Sequence, residues 1–329
     1  MLLSIVCLIG GMVLIIAGAN FLTDGASDIA RRMGISDLIV GLTVVAFGTS
    51  APELVISVIS AINGSAELAV GNIVGSNIFN ALAIIGITAM ITPIVVSRSI
   101  LTNDIPIVML AAAVLLVMGN GPLLDGAPEA SITRIDGIIL LLFFVIFMRY
   151  TFAQAKATPA PQAAADPSAV KVSTIVQRKL WLSVVGVVGG LAALVFGGDI
   201  FVKGASDIAK SMGVSEAVIG LTIVAAGTSL PELAASVAAA IKGHTDMAIG
   251  NVIGSNIFNI FLVLGVSATI CPLPLGAITD FDLLTQFGAA VFFWLFGCFF
   301  GRRTFTRAEG ALMTLLYVAY TAWLVIHAI

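Results

Sequence analysis

Long apolar runs separated by short polar breaks make up most of this chain. Leu2–Ala19, Ile105–Met118 and Ile138–Met148 are almost unbroken aliphatic and aromatic stretches. Runs near 20 residues match a bilayer core of about 30 Å crossed by a helix. The pattern predicts ten spanning helices, at about 2–22, 37–62, 67–92, 104–119 and 133–150, then about 180–202, 216–241, 246–271, 283–300 and 308–327.

The polar breaks repeat in order. Gly25-Ala26-Ser27-Asp28-Ile29-Ala30 recurs as Gly204-Ala205-Ser206-Asp207-Ile208-Ala209, and Gly41-Leu42-Thr43 as Gly220-Leu221-Thr222. Gly48-Thr49-Ser50 and Pro52-Glu53-Leu54 recur as Gly227-Thr228-Ser229 and Pro231-Glu232-Leu233. Gly75-Ser76-Asn77-Ile78-Phe79-Asn80 recurs as Gly254-Ser255-Asn256-Ile257-Phe258-Asn259. The register holds without a slip from Gly18/Gly197 to Ile91/Ile270, with about half the aligned positions identical. The chain is a duplicated module. Residues 1–150 form one five-helix unit and 179–329 the other; 151–178, rich in Pro, Ala and polar residues, reads as a linker. An odd number of spans turns the second unit over, so the expected fold is all-α and polytopic, with two inverted five-helix repeats.

Charge orients it. With both termini outside, Arg31, Arg32, Arg98, Arg149, Lys156, Lys171, Arg178, Lys179, Lys242, Arg302, Arg303 and Arg307 fall inside, and only Arg134, Lys203 and Lys210 outside. The positive-inside rule favours this arrangement, which puts the linker inside. Composition agrees with burial in lipid: 59% of residues are hydrophobic and 10% charged, where a soluble domain carries about a quarter charged. The net charge of −3 and the lack of a basic block offer nothing to a nucleic acid. Cys7, Cys271 and Cys298 share no ligand spacing and imply no disulfide. The opening run lacks the basic start of a signal peptide, and its counterpart recurs in mid-chain, so it reads as a retained helix.

Chemistry concentrates in two segments of each half. Glu53 and Glu232 lie inside predicted spans, where a carboxylate is costly and points to function. Thr49 and Ser50 precede Glu53 by four and three residues, so all three share a helix face, and Ser57 lies one turn further on. Thr228, Ser229, Glu232 and Ser236 repeat the arrangement. Pro52 and Pro231 lack an N–H, which frees the carbonyls of Gly48 and Gly227. Carboxylate, hydroxyl and bare carbonyl oxygens in one place suit Ca²⁺, and suit Na⁺ by the same hardness. In the second segment Asn72, Ser76 and Asn80 form a polar stripe, repeated by Asn251, Ser255 and Asn259. Ser76, Asn80, Ser255 and Asn259 are candidate ligands; Asn72, Asn77, Asn251 and Asn256 would hold or close the site. Gly71, Gly75, Gly250 and Gly254 are read as helix-packing positions. One Ca²⁺ balances two carboxylates. Several Na⁺ ions could use the same oxygens, but not together with Ca²⁺, and such exclusive occupancy of an alternately exposed site gives antiport.

These paired signatures, GTSAPE…GNIVGSNIFN and GTSLPE…GNVIGSNIFN, resemble the cation/Ca²⁺ exchanger superfamily, most closely the Na⁺/Ca²⁺ antiporters of the bacterial inner membrane. The resemblance covers nearly the whole chain except the linker. It implies ten helices, with the second, third, seventh and eighth around the ions and the first and sixth sliding across them. It implies Glu53 and Glu232 as principal Ca²⁺ ligands. Thr49, Ser50, Thr228, Ser229, Ser76 and Ser255 would supply further oxygens, together with backbone carbonyls near Ala46 and Ala225. Some members carry an acid where Asn259 stands; its neutrality here argues against K⁺ dependence.

Exchange of Ca²⁺ for H⁺ is the alternative, with Glu53 and Glu232 titrating. A membrane metalloprotease would need a His or Cys cluster, and the only histidines, His244 and His327, lie apart. A passive channel is the third reading. No enzymatic activity, cofactor or protein partner is expected beyond the transported ions and the bilayer. Asp24, Asp28, Asp37, Asp207 and Glu216 read as charges at helix ends, and Tyr150, Trp181 and Trp323 as interface anchors.

Overall fold

Helix α1 runs from Leu2 to Met33, well past the polar break at which the apolar pattern ends. In the computed structural model, which describes residues 2–64, 66–124, 126–157, 179–211, 225–276, 278–300 and 303–327, the charges beyond that point are satisfied in place. Asp28 is buried and accepts from Arg32 Nε at 3.1 Å and from the Ser183 hydroxyl. Asp24 meets Lys242 Nζ at 2.7 Å. Asp24 and Asp28 are therefore interior helix residues rather than end caps, because each has a partner that removes the need for the helix to stop.

The remaining elements come in this order. A bent pair, α2 (Asp37–Thr49) and α3 (Ala51–Ile62), turns by 45°. Next come α4 (Ala66–Ile91), α5 (Ile100–Gly119) and α6 (Arg134–Ala157). Helix α7 (Leu180–Ser211) opens the second half, with α8 (Ala225–Thr228), α9 (Leu230–Ile241), α10 (Thr245–Ile270), α11 (Asp280–Phe299) and α12 (Arg307–His327) after it. Among the described residues, eight helices are long and apolar enough to cross a bilayer, or nine if α2 and α3 count as one span. The chain is a polytopic membrane protein.

The structure departs from the sequence expectations in several places. The single helix expected over 37–62 is broken at Ser50, where the backbone leaves the helical region ahead of Pro52. The linker begins later than residue 151, because α6 continues to Ala157 with Thr151 buried and bonded to the Phe147 carbonyl. The remainder of the linker, and the start of the helix expected over 216–241, lie outside the described residues. Two short antiparallel strand pairs also appear, Ile94–Val95 with Thr304–Phe305 and Ser131–Ile132 with Leu273–Pro274. Each joins a connection in one half to a connection in the other.

Helices α4 and α10 form the centre. In their apolar windows 83% and 89% of residues are buried, against 22% and 28% for α1 and α7. Their Ile73, Ile78 and Ile84, with Ile253, Ile257 and Leu264, pack into one continuous core. The outward sides of the peripheral helices carry exposed Leu, Ile, Val and Phe, as a lipid-facing surface should.

Helices α1 and α7 cross antiparallel on a line of small residues. A Cβ on Gly18 would lie 2.8 Å from the Gly190 carbonyl oxygen, and one on Gly11 2.7 Å from that of Gly197. Gly25 approaches the Ser183 carbonyl in the same way, and Gly204 that of Ser4. Backbone meets backbone along the whole crossing, so dispersion between main chains holds the pair together. A larger side chain must push the helices apart. Gly190→Val, whose Cβ would sit 2.6 Å from the Leu22 nitrogen, is expected to destabilise the protein by about 1–3 kcal/mol, read as a lower melting temperature in detergent. Gly189→Val, with nothing within 4 Å of its Cβ, should leave it unchanged.

Candidate cation site

The break between α2 and α3 builds half of the site. Ser50 stands at φ −82°, ψ 5°, between the helical and extended regions. Pro52 sits in the first turn of α3, where its missing N–H costs nothing. Ser229 has nearly the same backbone, φ −93°, ψ 7°, with Pro231 in the first turn of α9. Each break leaves a Thr-Ser pair at the end of one short helix and a Glu in the first turn of the next. Ala46 lies in the last turn of α2, fully buried, and its carbonyl accepts from the Ser50 N–H at 3.0 Å. Thr49 Oγ1 lies 3.4 Å from the same oxygen, so the carbonyl's second lone pair is open to a ligand only when that hydroxyl points to Asn251 instead. Ala225 begins the corresponding turn, α8.

The two breaks face each other and exchange hydrogen bonds. Ser50 Oγ donates to Glu232 Oε1 at 3.1 Å. Ser229 Oγ lies 3.4 Å from Glu53 Oε1 and 3.1 Å from Ser76 Oγ, so its one proton can serve either. Thr228 also stands beside Glu53, and Thr49 and Ser255 beside Glu232. Each carboxylate is thus attended by the Thr-Ser pair of the opposite half, and Glu232 also by Ser255 of its own half. Glu53 and Glu232 have no exposed surface, lie within electrostatic reach of each other, and among the described residues neither Oε2 has a hydrogen-bond partner. The expectation that Thr49, Ser50 and Glu53 share one helix face gives way to this cross-wiring. The helix breaks before Glu53, so the hydroxyls turn toward the other half.

The asparagine stripes hold the breaks. Thr49 Oγ1 donates toward Asn251 Oδ1 at 3.2 Å, and Thr228 Oγ1 toward Asn72 Oδ1 at 3.4 Å. Asn251 Nδ2 donates to the Glu232 carbonyl at 3.2 Å and to Ser236 Oγ at 2.9 Å. Asn77 and Asn259 meet across the halves, with Asn259 Nδ2 donating to Asn77 Oδ1 at 3.0 Å. Asn80 is fully buried, with neither polar atom partnered. All the candidate ligand side chains other than that of Ala225 are thus described; Thr228 is half-buried and the rest are buried.

Glycine packing is visible on one side. A Cβ on Gly250 would lie 2.6 Å from the Leu38 carbonyl oxygen, and one on Gly254 2.6 Å from Ala46 Cβ, so α10 presses closely on α2. For Gly71 and Gly75 the described residues offer only Ile278 Cδ1, at 3.3 Å from a Gly71 Cβ. The packing expected of those two does not appear among the described residues.

Nothing in the residue pattern signals the π-helical turns at Gly41–Val45, Phe79–Ile84 and Phe258–Leu264. The last two are counterparts in the duplication and contain Asn80 and Asn259. A π turn widens the helix and rotates the turns after it, and such turns concentrate at functional sites. Periodicity cannot reveal a one-residue widening inside a uniformly apolar run.

The arrangement places two carboxylates, four or more hydroxyls and several amide oxygens around one buried centre, all of them hard ligands for a group 1 or group 2 cation. Comparison with known proteins points the same way. Residues 3–153 and 182–326 match the family described as sodium/calcium exchanger protein. A putative antiporter, CaxA of Alkalimonas amylolytica, is 38% identical over 97% of this chain and 98% of its own length. The sodium/calcium exchanger MaX1 of Methanosarcina acetivorans is 30% identical over 94% of this chain and 95% of its own. The inner membrane protein YrbG of Escherichia coli is 36% identical over 83% of this chain and 81% of its own. A solved structure of the sodium-calcium exchanger NCX_Mj, soaked with Na⁺ and Sr²⁺, superposes with a TM-score of 0.81 at 30% identity, covering 98% of both chains. With a duplicated, cross-wired carboxylate site and these relatives, the chain belongs to the sodium/calcium exchanger family.

Proposed function

We propose that this protein is a secondary antiporter that exchanges Ca²⁺ for Na⁺ by exposing one buried site alternately to each side of the membrane. The observation that carries the reading is the reciprocal bonding of the two halves at Glu53 and Glu232. Each carboxylate takes a hydroxyl contact on Oε1, and neither Oε2 has a partner among the described residues, so two carboxylate oxygens are left uncompensated there at a buried centre. Such a pair demands positive charge, and one divalent ion or two or more monovalent ions supply it. The ligands would be Glu53, Glu232, Thr49, Thr228, Ser50, Ser229, Ser76, Ser255, Asn80 and Asn259, with the carbonyls of Ala46 and Ala225.

Protons would neutralise the same carboxylates, and exchange of Ca²⁺ for H⁺ is the competing reading. The density of neutral hydroxyl and amide oxygens favours Na⁺. A proton needs only the carboxylate, whereas Na⁺ needs a shell of oxygens.

The reading includes ten helices in two inverted repeats, 1–150 and 179–329, with termini outside and the linker 151–178 inside. The antiparallel crossing of α1 with α7 supports the inversion, since these helices are counterparts in the duplication. The Lys and Arg distribution supports the orientation, and the likeness to YrbG an inner membrane location.

Ca²⁺ uptake into Na⁺-loaded proteoliposomes tests the function. Uptake should require the outward Na⁺ gradient at fixed pH, and Glu53→Gln and Glu232→Gln should each lower it at least about 10-fold. Uptake driven by a pH gradient and indifferent to Na⁺ would assign the coupling to H⁺, and full activity in both variants would remove the site. Topology is tested by replacing Cys7, Cys271 and Cys298 with serine and adding Ala163→Cys. An impermeant maleimide should label that cysteine only from the inner face.

A further inference from the structure

We propose that Asn77 is a positioning residue of the ion site, fixing the Asn259 amide so that its carbonyl oxygen, Oδ1, is the atom presented to a bound cation. The proposal rests on the reading of Asn259 as a site residue and goes beyond it by naming what sets its orientation.

The orientation begins at a backbone carbonyl. Asn77 Nδ2 lies 3.2 Å from the Asn256 carbonyl oxygen. A carbonyl can only accept, so the end of the Asn77 amide facing it must be the NH₂ group. The Asn77 oxygen then faces the other way, where only a donor can meet it, and Asn259 Nδ2 does so at 3.0 Å. This leaves Asn259 Oδ1 buried and without a partner among the described residues. A main-chain group with no rotational freedom thus determines the sense of two side-chain amides in sequence. Turning either amide over would set one buried carbonyl oxygen against another. All three residues are buried: Asn77 and Asn256 at 2% exposure and Asn259 at 0%.

The duplicated counterpart lacks this anchor. Asn256 corresponds to Asn77, and Asn80 to Asn259. Among the described residues Asn256 Oδ1 has no partner, and neither Oδ1 nor Nδ2 of Asn80 has one. Asn80 is free to turn either end to the centre; Asn259 is not. The site therefore holds one preset amide oxygen and one adaptive one. A preset oxygen fixes a ligand distance and so discriminates between cations by radius, while an adaptive oxygen adjusts to whichever ion is present. Ca²⁺ takes oxygens at about 2.3–2.6 Å, and a larger ion such as Sr²⁺ is disfavoured only by oxygens that cannot withdraw.

The test compares Asn77→Ala with Asn256→Ala. The second retains the Asn256 backbone carbonyl and removes a side chain of the same kind at the equivalent place. Binding of radioactive Ca²⁺ to the purified full-length protein is measured together with Na⁺-driven uptake in liposomes. Asn77→Ala is expected to weaken Ca²⁺ binding about 10-fold and to make Sr²⁺ a better competitor relative to Ca²⁺, with the maximal uptake rate within about 2-fold. Asn256→Ala should weaken Ca²⁺ binding less than Asn77→Ala does and should leave the preference for Ca²⁺ over Sr²⁺ unchanged, because its Oδ1 meets no partner among the described residues. On an Asn259→Ala background, Asn77→Ala should cost almost nothing more, because the group it positions is gone. Equal losses in the two single variants would overturn the proposal. So would additive losses in the double variant, or a fall in maximal rate with Ca²⁺ affinity unchanged. Wild-type protein that binds Ca²⁺ without Na⁺-driven uptake would overturn the antiport reading and leave Asn77 to be judged on binding. Absence of Ca²⁺ binding would overturn both.

Discussion

Glu53 and Glu232, neither with any exposed surface, share one buried centre, and much of the chain's irregularity is arranged around them. A carboxylate in such surroundings needs hydrogen bonds to its oxygens and a positive charge nearby. A regular helix cannot supply the first, because its own donors are committed to its own carbonyls. Breaking the helix at Ser50 and again at Ser229 turns hydroxyl-bearing turns toward the opposite carboxylate. The prolines make those breaks permanent. The asparagines of α4 and α10 brace the broken ends, and the π turns at Phe79–Ile84 and Phe258–Leu264 widen the same two helices beside the pair. What the described side chains do not supply is the positive charge, which under the proposed reading a bound cation would bring.

The surrounding scaffold is simple by comparison. Helices α4 and α10 are buried on nearly all sides, so their sequences are apolar except where they meet the centre. The peripheral helices are apolar toward lipid and small toward each other. In a bilayer apolar surface gains little by leaving lipid for protein, so close contact between backbones is the stronger source of cohesion. This is why glycine, and not leucine, marks the α1–α7 crossing.

Much of this was legible in the sequence, and the reasons differ from residue to residue. The spans could be read from length and hydropathy because lipid imposes both. The two Glu residues stood out because a charge in an apolar run requires an explanation. The duplication supplied a second, independent view of each motif. What could not be read was direction. Spacing places Ser50 and Glu53 on one face of a continuous helix, but the break sends Ser50 to Glu232, a partner far away in sequence. Likewise Asp28 read as a terminal charge because its partner, Ser183, belongs to the other half. Interactions within a turn are visible in spacing, and interactions across the duplication are not. The expected start of α6 and of most other spans agreed within a few residues, while α1, α6 and α7 ran on past the apolar zone, α1 with Asp24 and Asp28 paired and α7 with Lys203 on Asp199.

The crossing of α1 and α7 has the geometry of a contact between two copies of one surface. Gly11 meets Gly197, the counterpart of Gly18, and Gly18 meets Gly190, the counterpart of Gly11. Ser4 with Gly204 and Gly25 with Ser183 form the same reciprocal pair. Such an isologous contact is self-complementary, and two unlinked half-length chains inserted in opposite senses would satisfy it equally well. Joining the halves removes the requirement that they stay alike. Lys242 holds Asp24 at one end of the molecule, while the positions that correspond to them, Asn63 and Lys203, carry no such pair among the described residues. A fused chain can treat the two faces of the membrane differently, which a symmetric dimer of identical halves cannot.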